Sequence, residues 1–585
     1  MCVPSGAPSR RVNEGTRIVL WCAVVTLCSL LLRAAVPPLV LANGVYDDQM
    51  FVRGAHFVLT GRWLGPFIGP RTLAKGPGYP LFVAACSRLG VPVLLAQHVL
   101  HLGASATLAW VAYRLTKGRL FGAALYTILA FDPSFFGTLS SQFVRDNVYA
   151  SVSLLLVALV ARGLIPGRPA QAALGCRALL RSLGASAFLG ALFAVYWLTR
   201  EERPWLLPAL ALLLAARLEL LRRSFGGVRP CVRSRRGVQR VAGMVLVTSV
   251  AVGLVLAVKV ENSRAYGVAV TNDVTEGSFA QAFGQWQAVR AGPVRRHVPI
   301  NRAMREAVYA VSPAAREIQP GMEQGIGRAW ISFGCRVYRI CDDVAGGWTQ
   351  WALRTSLDET KRYPSAVQVQ NYWRRVSTDI AAACERQALS CQRKTPTLLP
   401  QPDTVIPSAW FRSSAEALHW VVTFRLGDQL AGKPEGKSVG SPAEWQLFAS
   451  TVPGVPRTLA EQTKREKAFA KHVRAFGVLG DFYRLVSLPL LLVAPFGYVV
   501  SLVRRRPGRT LPAILGAAAG VGLLVRVVLI GLIDATDFPA SHQVYLLPGS
   551  GLLIAFTAVG LWLLVRSLLD DRFQALSGRR RAVSA

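Results

Sequence analysis

Val45-Tyr46-Asp47-Asp48-Gln49-Met50-Phe51-Val52-Arg53 follows at once on an apolar run from Ile18 to Ala42. A helix that spans a membrane needs about 20 apolar residues, and this run supplies that length before Asn43-Gly44 breaks it. The two adjacent carboxylates therefore fall at the membrane edge, where a spanning helix surfaces. Local physics offers them a purely structural role as well. Asp47 has the chemistry of a helix N-cap and Asp48 that of a first-turn acid favoured by the helix dipole, with Gly61 placed to close the far end. Phe51, Ala55 and Leu59 recur every fourth residue, so segment 43–78 reads as an outer loop whose helix lies along the membrane surface.

Composition sets the class. Of 585 residues 52% are hydrophobic, and the mean hydropathy of +0.35 belongs to a polytopic membrane protein. The formal charge of +35 would suggest a nucleic-acid partner in a soluble protein. Here the basic residues cluster between apolar runs, as cytoplasmic loops require, so the charge reports topology and no nucleic acid is expected. Arg10, Arg11 and Arg17 before the first run, with Ala42 after it, imitate a secretory signal. The many later spans favour a retained signal-anchor.

Past the loop, Tyr79–Leu89 is too short to span and reads as partly embedded. Pro92–Leu115 runs inward to Arg114, Lys117 and Arg119. Leu120–Phe136 goes out and Phe143–Val160 returns to Arg162 and Arg168, with Asp132, Arg145 and Asp146 at the outer turn. Leu183–Leu198 goes out to Thr199-Arg200-Glu201-Glu202-Arg203, Trp205–Ala216 comes back, and a loop from Arg217 to Arg240 carries a dense run of arginines. Val241–Val260 exits again. Leu485–Val503, Leu511–Ile533 and Val544–Val565 close the chain, with basic groups at Arg504-Arg505-Arg506 and Arg579-Arg580-Arg581. The expected fold is therefore mainly α: about ten spans, both termini cytoplasmic, and an inserted, mostly helical extracytoplasmic domain. The divisions are a membrane domain at 1–260, the soluble domain at 261–480, and helices with a basic tail at 481–585. No inverted repeat of the transporter kind stands out. Cys335, Cys341, Cys384 and Cys391 share the soluble domain, where disulfides are expected; three pairings are open to them, and the local ones are favoured.

The ionisable groups expected at the outer edge are Asp47, Asp48, Lys75, Arg145, Asp146, Arg200, Glu201, Glu202, Asp534, Asp537 and His542. Insertion alone drives charges to helix ends, since at a helix centre each costs about 2.5–3.5 kcal/mol. That accounts for single residues. It accounts less well for the pairing of opposite signs, or for Arg526 inside a span. A cationic edge site suits a lipid-linked phosphate, and a carboxylate beside it suits a general base. His98 and His101 stand three apart without an acid or cysteine nearby in sequence, so no metal and no cofactor are expected.

Tyr46-Asp47-Asp48 opening the first outer loop, Lys75-Gly76-Pro77-Gly78-Tyr79-Pro80-Leu81-Phe82, Arg145-Asp146 and the late Tyr545-Leu546-Leu547-Pro548 together resemble the GT-C class of membrane glycosyltransferases. The protein O-mannosyltransferase and aminoarabinose transferase group is the nearest part of that class. The resemblance covers about 17–260 and 481–568 and leaves out the soluble domain. It implies transfer of a sugar from a polyprenyl-phosphate carrier to a glycan, lipid or protein acceptor, on the extracytoplasmic side of a bacterial inner or plasma membrane and among its lipids. It also implies an acid of the first outer loop as base, which places Asp47 or its neighbour Asp48 in that role. Lys75 matches a phosphate-contacting lysine, although Gly76 interrupts the usual Lys-Pro-Pro order. Arg145, Asp146, Arg200, Glu201, Arg526 and His542 complete the candidate donor and acceptor contacts by sign and expected depth. The rival reading is a non-enzymatic lipid-linked glycan transporter or flippase, which calls for polar or broken spans near the midplane. A scaffold anchored by its spans is a third, and ten spans exceed what anchoring needs.

Overall fold

Nine of the described helices are long and apolar enough to cross a membrane. A computed structural model describes residues 8–45, 47–165, 176–224, 235–392, 407–425, 437–471, 473–504 and 508–583. Tyr46, Arg168, Arg229, Arg233, Arg505 and Arg506 lie outside the described residues. The first half comprises α1 (Pro8–Ala35), α2 (Asp48–Leu59), α3 (Gly78–Arg88), α4 (Val93–Thr116), α5 (Arg119–Ala130), α6 (Asp146–Ala161), α7 (Cys176–Thr199), α8 (Leu207–Ser224) and α9 (Arg235–Tyr266). The inserted region follows with α10 (Gly277–Ala288), α11 (Arg302–Val311), α12 (Pro313–Arg316), α13 (Gln319–Glu323), α14 (Ile326–Tyr338), α15 (Thr349–Glu359), α16 (Ala366–Glu385), α17 (Pro407–Val422), α18 (Pro442–Thr451) and α19 (Leu459–Ala470). The chain ends in α20 (Val473–Arg504), α21 (Thr510–Thr536) and α22 (Gln543–Val583).

The difference from ten spans lies at Leu120–Phe136. Helix α5 has 12 residues, a length of about 18 Å. It stops because Pro133 disfavours helical backbone at the residue before it, while Asp132 accepts from Ser134 N (2.9 Å) and starts a 3₁₀ turn. Two such turns, Pro133–Phe135 and Leu139–Ser141, complete the passage. The direction is readable from contacts with α1: Thr26 meets the Tyr126 hydroxyl (2.6 Å), Ser29 donates to Ala130 O (2.7 Å), and Arg33 to Ser141 Oγ (3.4 Å). Both numberings rise together, so α1 and the 119–141 segment run parallel. Helix α4 runs against them, with its His101 ring bonded to Leu129 O (2.8 Å).

Helix α6 is the axis of the bundle, 83% buried over its apolar stretch where α9 is 11% buried. After Asp146-Asn147 its sequence, Val-Tyr-Ala-Ser-Val-Ser-Leu-Leu-Leu-Val, is mostly apolar or small on every side, as a helix surrounded by others must be. The outward apolar residues of α1, α9 and α20, such as Leu20, Leu256 and Leu485, are exposed in the isolated chain and suit lipid. At one end of the bundle lie Arg114, Arg162, Arg222 and Arg509. At the other end the chain gathers α2, α3 and the inserted region.

Helices α10 to α16 enclose a second core around Phe279, Trp286, Met322, Leu353, Tyr372 and Trp373. Two buried arginines brace it: Arg305 pairs with Glu323 and Asp343 (2.7 Å each), and Arg354 with Asp273 (2.7 Å). Asn301 and Ser365 cap α11 and α16 through Met304 N and Gln368 N. Disulfides join Cys335 to Cys341 and Cys384 to Cys391, the local pairing. Helices α17 and α18 instead bury Ala417, Val421, Trp445 and Phe448 in the core of the membrane bundle. The Trp410 indole donates to Val528 O of α21 (2.9 Å), while Gln49 of α2 reaches Glu444 of α18 (3.2 Å).

Candidate active site

The first outer loop leaves α1 through a turn in which Asp47 N and Gln49 N both bond Gly44 O (3.1 and 3.0 Å). This puts Asp47 at the N-cap position of α2, yet its side chain makes no capping hydrogen bond. Its carboxylate is instead ion-paired with Lys75 Nζ. The side chain of Asp47 is 57% exposed and that of Lys75 12%. Gly61, with φ +76°, closes α2 as the sequence suggests. Asp48 is buried, and its Oδ1 accepts from Phe143 N (3.3 Å). Burial, and then the charge of Asp47, pushes the Asp48 carboxyl up to about 8.

Lys75 reaches this place because 66–76 folds back beneath α15. Its ammonium stands over the Phe51 and Trp351 rings (5.1 and 5.8 Å), where an aromatic face favours a cation. Gly76 and Gly78 permit the approach, since a Cβ on either would strike Leu198 O of α7.

The turn before α6 and the end of α7 then interlock. Arg145 grips Glu201 with both Nη atoms (2.8 and 2.6 Å) and donates to Thr199 O (2.9 Å). Arg200 pairs with Asp146 and, through Nε, with Glu202 (3.1 Å), and donates to Val544 O of α22 (2.8 Å). Burial alone would raise the Glu202 carboxyl, but the Arg200 guanidinium holds it well below the usual carboxylate range. Burial likewise opposes the charge of Arg200, and Asp146 and Glu202 together keep that guanidinium firmly protonated. His542 is pulled down to about 4 by burial and then by Arg200, so it is neutral at pH 7. Asp537 is pushed up to about 7 by burial.

These groups share one half-open cavity of about 1150 Å³. Asp47, Asp48, Lys75, Arg145, Asp146, Arg200, Glu201 and His542 all line it, so eight candidates from five separate segments meet. Arg526 does not. It sits about 12 Å below Asp534 along α21, fully buried, with Nε donating to Tyr545 O (2.7 Å) and its guanidinium over Trp205 (5.3 Å). Among the described residues its two Nη atoms have no hydrogen-bond partner. Its charge neighbours those of Glu202 and Arg200. Asp534 is also set apart: it accepts from Ala540 N, Ser541 N and Arg296 (2.8, 3.0 and 2.7 Å), clasping the end of α21 to the inserted region.

The cavity lining is of three chemical kinds. Leu41, Leu139, Val144, Leu529 and Ile533 are aliphatic, the charged residues form a belt, and Trp330, Phe333, Tyr338 and Trp348 make an aromatic wall from the inserted region. Sequence reasoning misses the aromatic wall. Its only trace there is the tryptophan spacing at 330, 348 and 351, which does not distinguish a cavity wall from a core. Among the described residues no group of three His, Cys, Asp or Glu side chains is arranged to hold a metal ion.

No protein-family model matches this chain, and no curated protein sequence matches it. Among solved structures, the crystal structure of ArnT from Cupriavidus metallidurans bound to undecaprenyl phosphate aligns with 89% of this chain and 77% of its own, at 15% identity and a TM-score of 0.30.

Proposed function

We propose that the protein is a membrane glycosyltransferase of GT-C type, moving a sugar from a polyprenyl-phosphate carrier to an acceptor on the extracytoplasmic side, with a carboxylate base and no metal. The observation that carries the proposal is the meeting of Asp47, Lys75, Arg145 and Arg200 on one cavity that is also lined by aliphatic side chains. A polyprenyl phosphate has the two matching parts, an anion and an apolar chain. In this reading the isoprenyl chain lies along Leu139, Val144, Leu529 and Ile533, and the phosphate meets Lys75 and the guanidinium belt.

Asp47 is the base. It is the more open of the two acids, and a phosphate that takes over Lys75 frees its carboxylate. The carboxylate removes the proton from an acceptor hydroxyl as that oxygen attacks the anomeric carbon. The bond from that carbon to the phosphate oxygen breaks, and its electron pair leaves with the phosphate, whose added charge the cations stabilise. Attack opposite the leaving group inverts the anomeric centre. Asp48, pushed up to about 8 by burial, holds its proton at neutral pH, so little of it is present as the carboxylate that a base requires. It holds the 143–146 turn in place by accepting from Phe143 N. In a donor-binding assay with farnesyl phosphate, Lys75→Ala is expected to weaken binding at least tenfold, and unchanged binding would remove the donor assignment.

The raised pKa of Asp48 has a consequence for stability. The folded state keeps a proton on Asp48 between pH 4 and about 8 that the unfolded chain releases, so its contribution is full below the unfolded value of 3.8 and is lost as pH rises towards about 8. Thermal unfolding of Asp48→Asn against the native protein from pH 5 to 8.5 is expected to show the native midpoint falling more steeply. Parallel profiles would contradict the buried, protonated Asp48.

Topology follows from the same reading, with both termini cytoplasmic and the inserted domain outside. In intact cells Gln368→Cys is expected to react with an impermeant maleimide and Arg119→Cys to be protected. The reverse pattern would overturn both the orientation and the placement of the site.

A further inference from the structure

The charged belt and the aliphatic lining account for a carrier, and the aromatic wall remains without an occupant. It belongs to α14 and the turn that leads into α15. Trp348 stands at its centre, with the Phe333 ring at 4.7 Å and the Tyr338 ring at 4.8 Å. Phe333 is 42% exposed, far more than a core phenylalanine. The wall is rigidly founded. The Cys335–Cys341 disulfide ties the end of α14 to the following loop, Gly346 N donates to His297 O (2.7 Å), and at Gly346 any side chain would strike Asp537 O.

Two acceptor atoms adjoin this wall. Gln350 and Asp537 both line the cavity, and among the described residues neither Gln350 Oε1 nor Asp537 Oδ1 has a hydrogen-bond partner. An unpartnered buried oxygen is destabilising, so each side chain gains by turning towards a donor that enters the cavity. An isoprenyl chain brings no donor. A sugar ring brings several hydroxyls along with an apolar C–H face that stacks on an aromatic ring.

Resting on the glycosyl-transfer reading, we propose that Trp348, Phe333 and Tyr338, with Gln350 and Asp537, form a carbohydrate subsite, and that the acceptor is therefore a glycan. The ring next to the attacking hydroxyl lies on Trp348, which leaves that hydroxyl directed at the belt that holds Asp47. The inserted domain thus selects the acceptor while the membrane bundle holds the donor.

The test uses the full chain in lipid nanodiscs, free of sugar detergents, with mannotriose, galactotriose and arabinotriose as probes and saturation-transfer NMR as readout. At least one trisaccharide is expected to bind, with Trp348→Ala weakening it about tenfold and Trp348→Phe retaining most of the affinity. Gln350→Leu removes an oxygen that has no partner, so it is expected to leave the unfolding temperature unchanged or higher while weakening the sugar several-fold. Farnesyl phosphate is expected to bind all three variants as it binds the native protein. Binding of none of the three sugars, or binding indifferent to both Trp348→Ala and Gln350→Leu, overturns the subsite. Loss of farnesyl phosphate in Trp348→Ala also overturns it, because the wall would then belong to the carrier. Farnesyl phosphate binding that Lys75→Ala does not weaken defeats the donor reading alone, while the trisaccharide arm still decides the subsite.

Discussion

Asp47→Asn is expected to abolish sugar transfer while leaving the protein folded and inserted. Asn caps helices about as well as Asp, and here the Asp47 side chain makes no capping bond at all, so α2 loses nothing. The ion pair with Lys75 disappears, but with Asp47 57% exposed such a pair contributes about 0–1 kcal/mol. Removal of a general base costs about 10² to 10⁴ in rate. The two roles of the residue therefore predict outcomes that differ by orders of magnitude. Farnesyl phosphate binding supplies an internal control: Lys75, released from its partner, is expected to bind the phosphate as well or better. Asp48→Asn made in parallel is expected to retain most activity, because the carboxamide it introduces still offers a carbonyl oxygen to Phe143 N. A larger loss at Asp48 would move the base by one residue. Full transfer by the double Asn variant would remove the mechanism and favour a transporter.

The legible parts of this chain are those set by periodicity and charge. Apolar runs longer than a membrane is thick, with arginine-rich loops between them, left few arrangements open. The acids and arginines at the outer edge were legible for the same reason, since insertion forces charges to helix ends and the ends meet at one face. Two details were not legible, for separate reasons. Leu120–Phe136 has the hydropathy of a span, and only Asp132-Pro133 within it marks where helix gives way to 3₁₀ turns. Arg526 carries the charge expected of a phosphate contact, but depth along α21 is a matter of packing. Packing against Tyr149 of α6 and Trp205 of the 203–206 turn places it behind the cavity. The aromatic wall depends on how α14 docks above the bundle, a tertiary relation that no local pattern encodes. The N-cap reading of Asp47 was chemically sound and still did not describe the contact, because a lysine 28 residues away competes for the same carboxylate.

Arg200→Met is expected to destabilise the protein more than any other single change at the site. Arg200 and Asp146 have side chains only 3% and 5% exposed, and Glu202 is 14% exposed. Removal of one partner of a buried pair leaves an uncompensated charge and costs about 3–5 kcal/mol, a large part of the stability of an ordinary domain. Loss of activity in that variant would therefore say nothing about catalysis. Arg200→Met combined with Asp146→Leu separates the roles, since replacing both partners by apolar groups of similar volume is often neutral. Glu202 keeps Arg145 and Arg526 as neighbouring charges. The double variant is expected to recover most of the unfolding temperature lost by Arg200→Met while binding farnesyl phosphate at least tenfold more weakly than the native protein. If it regains both stability and donor affinity, Arg200 only braces the junction of α6, α7 and α22, and the phosphate must be held by Lys75 and Arg145 without it.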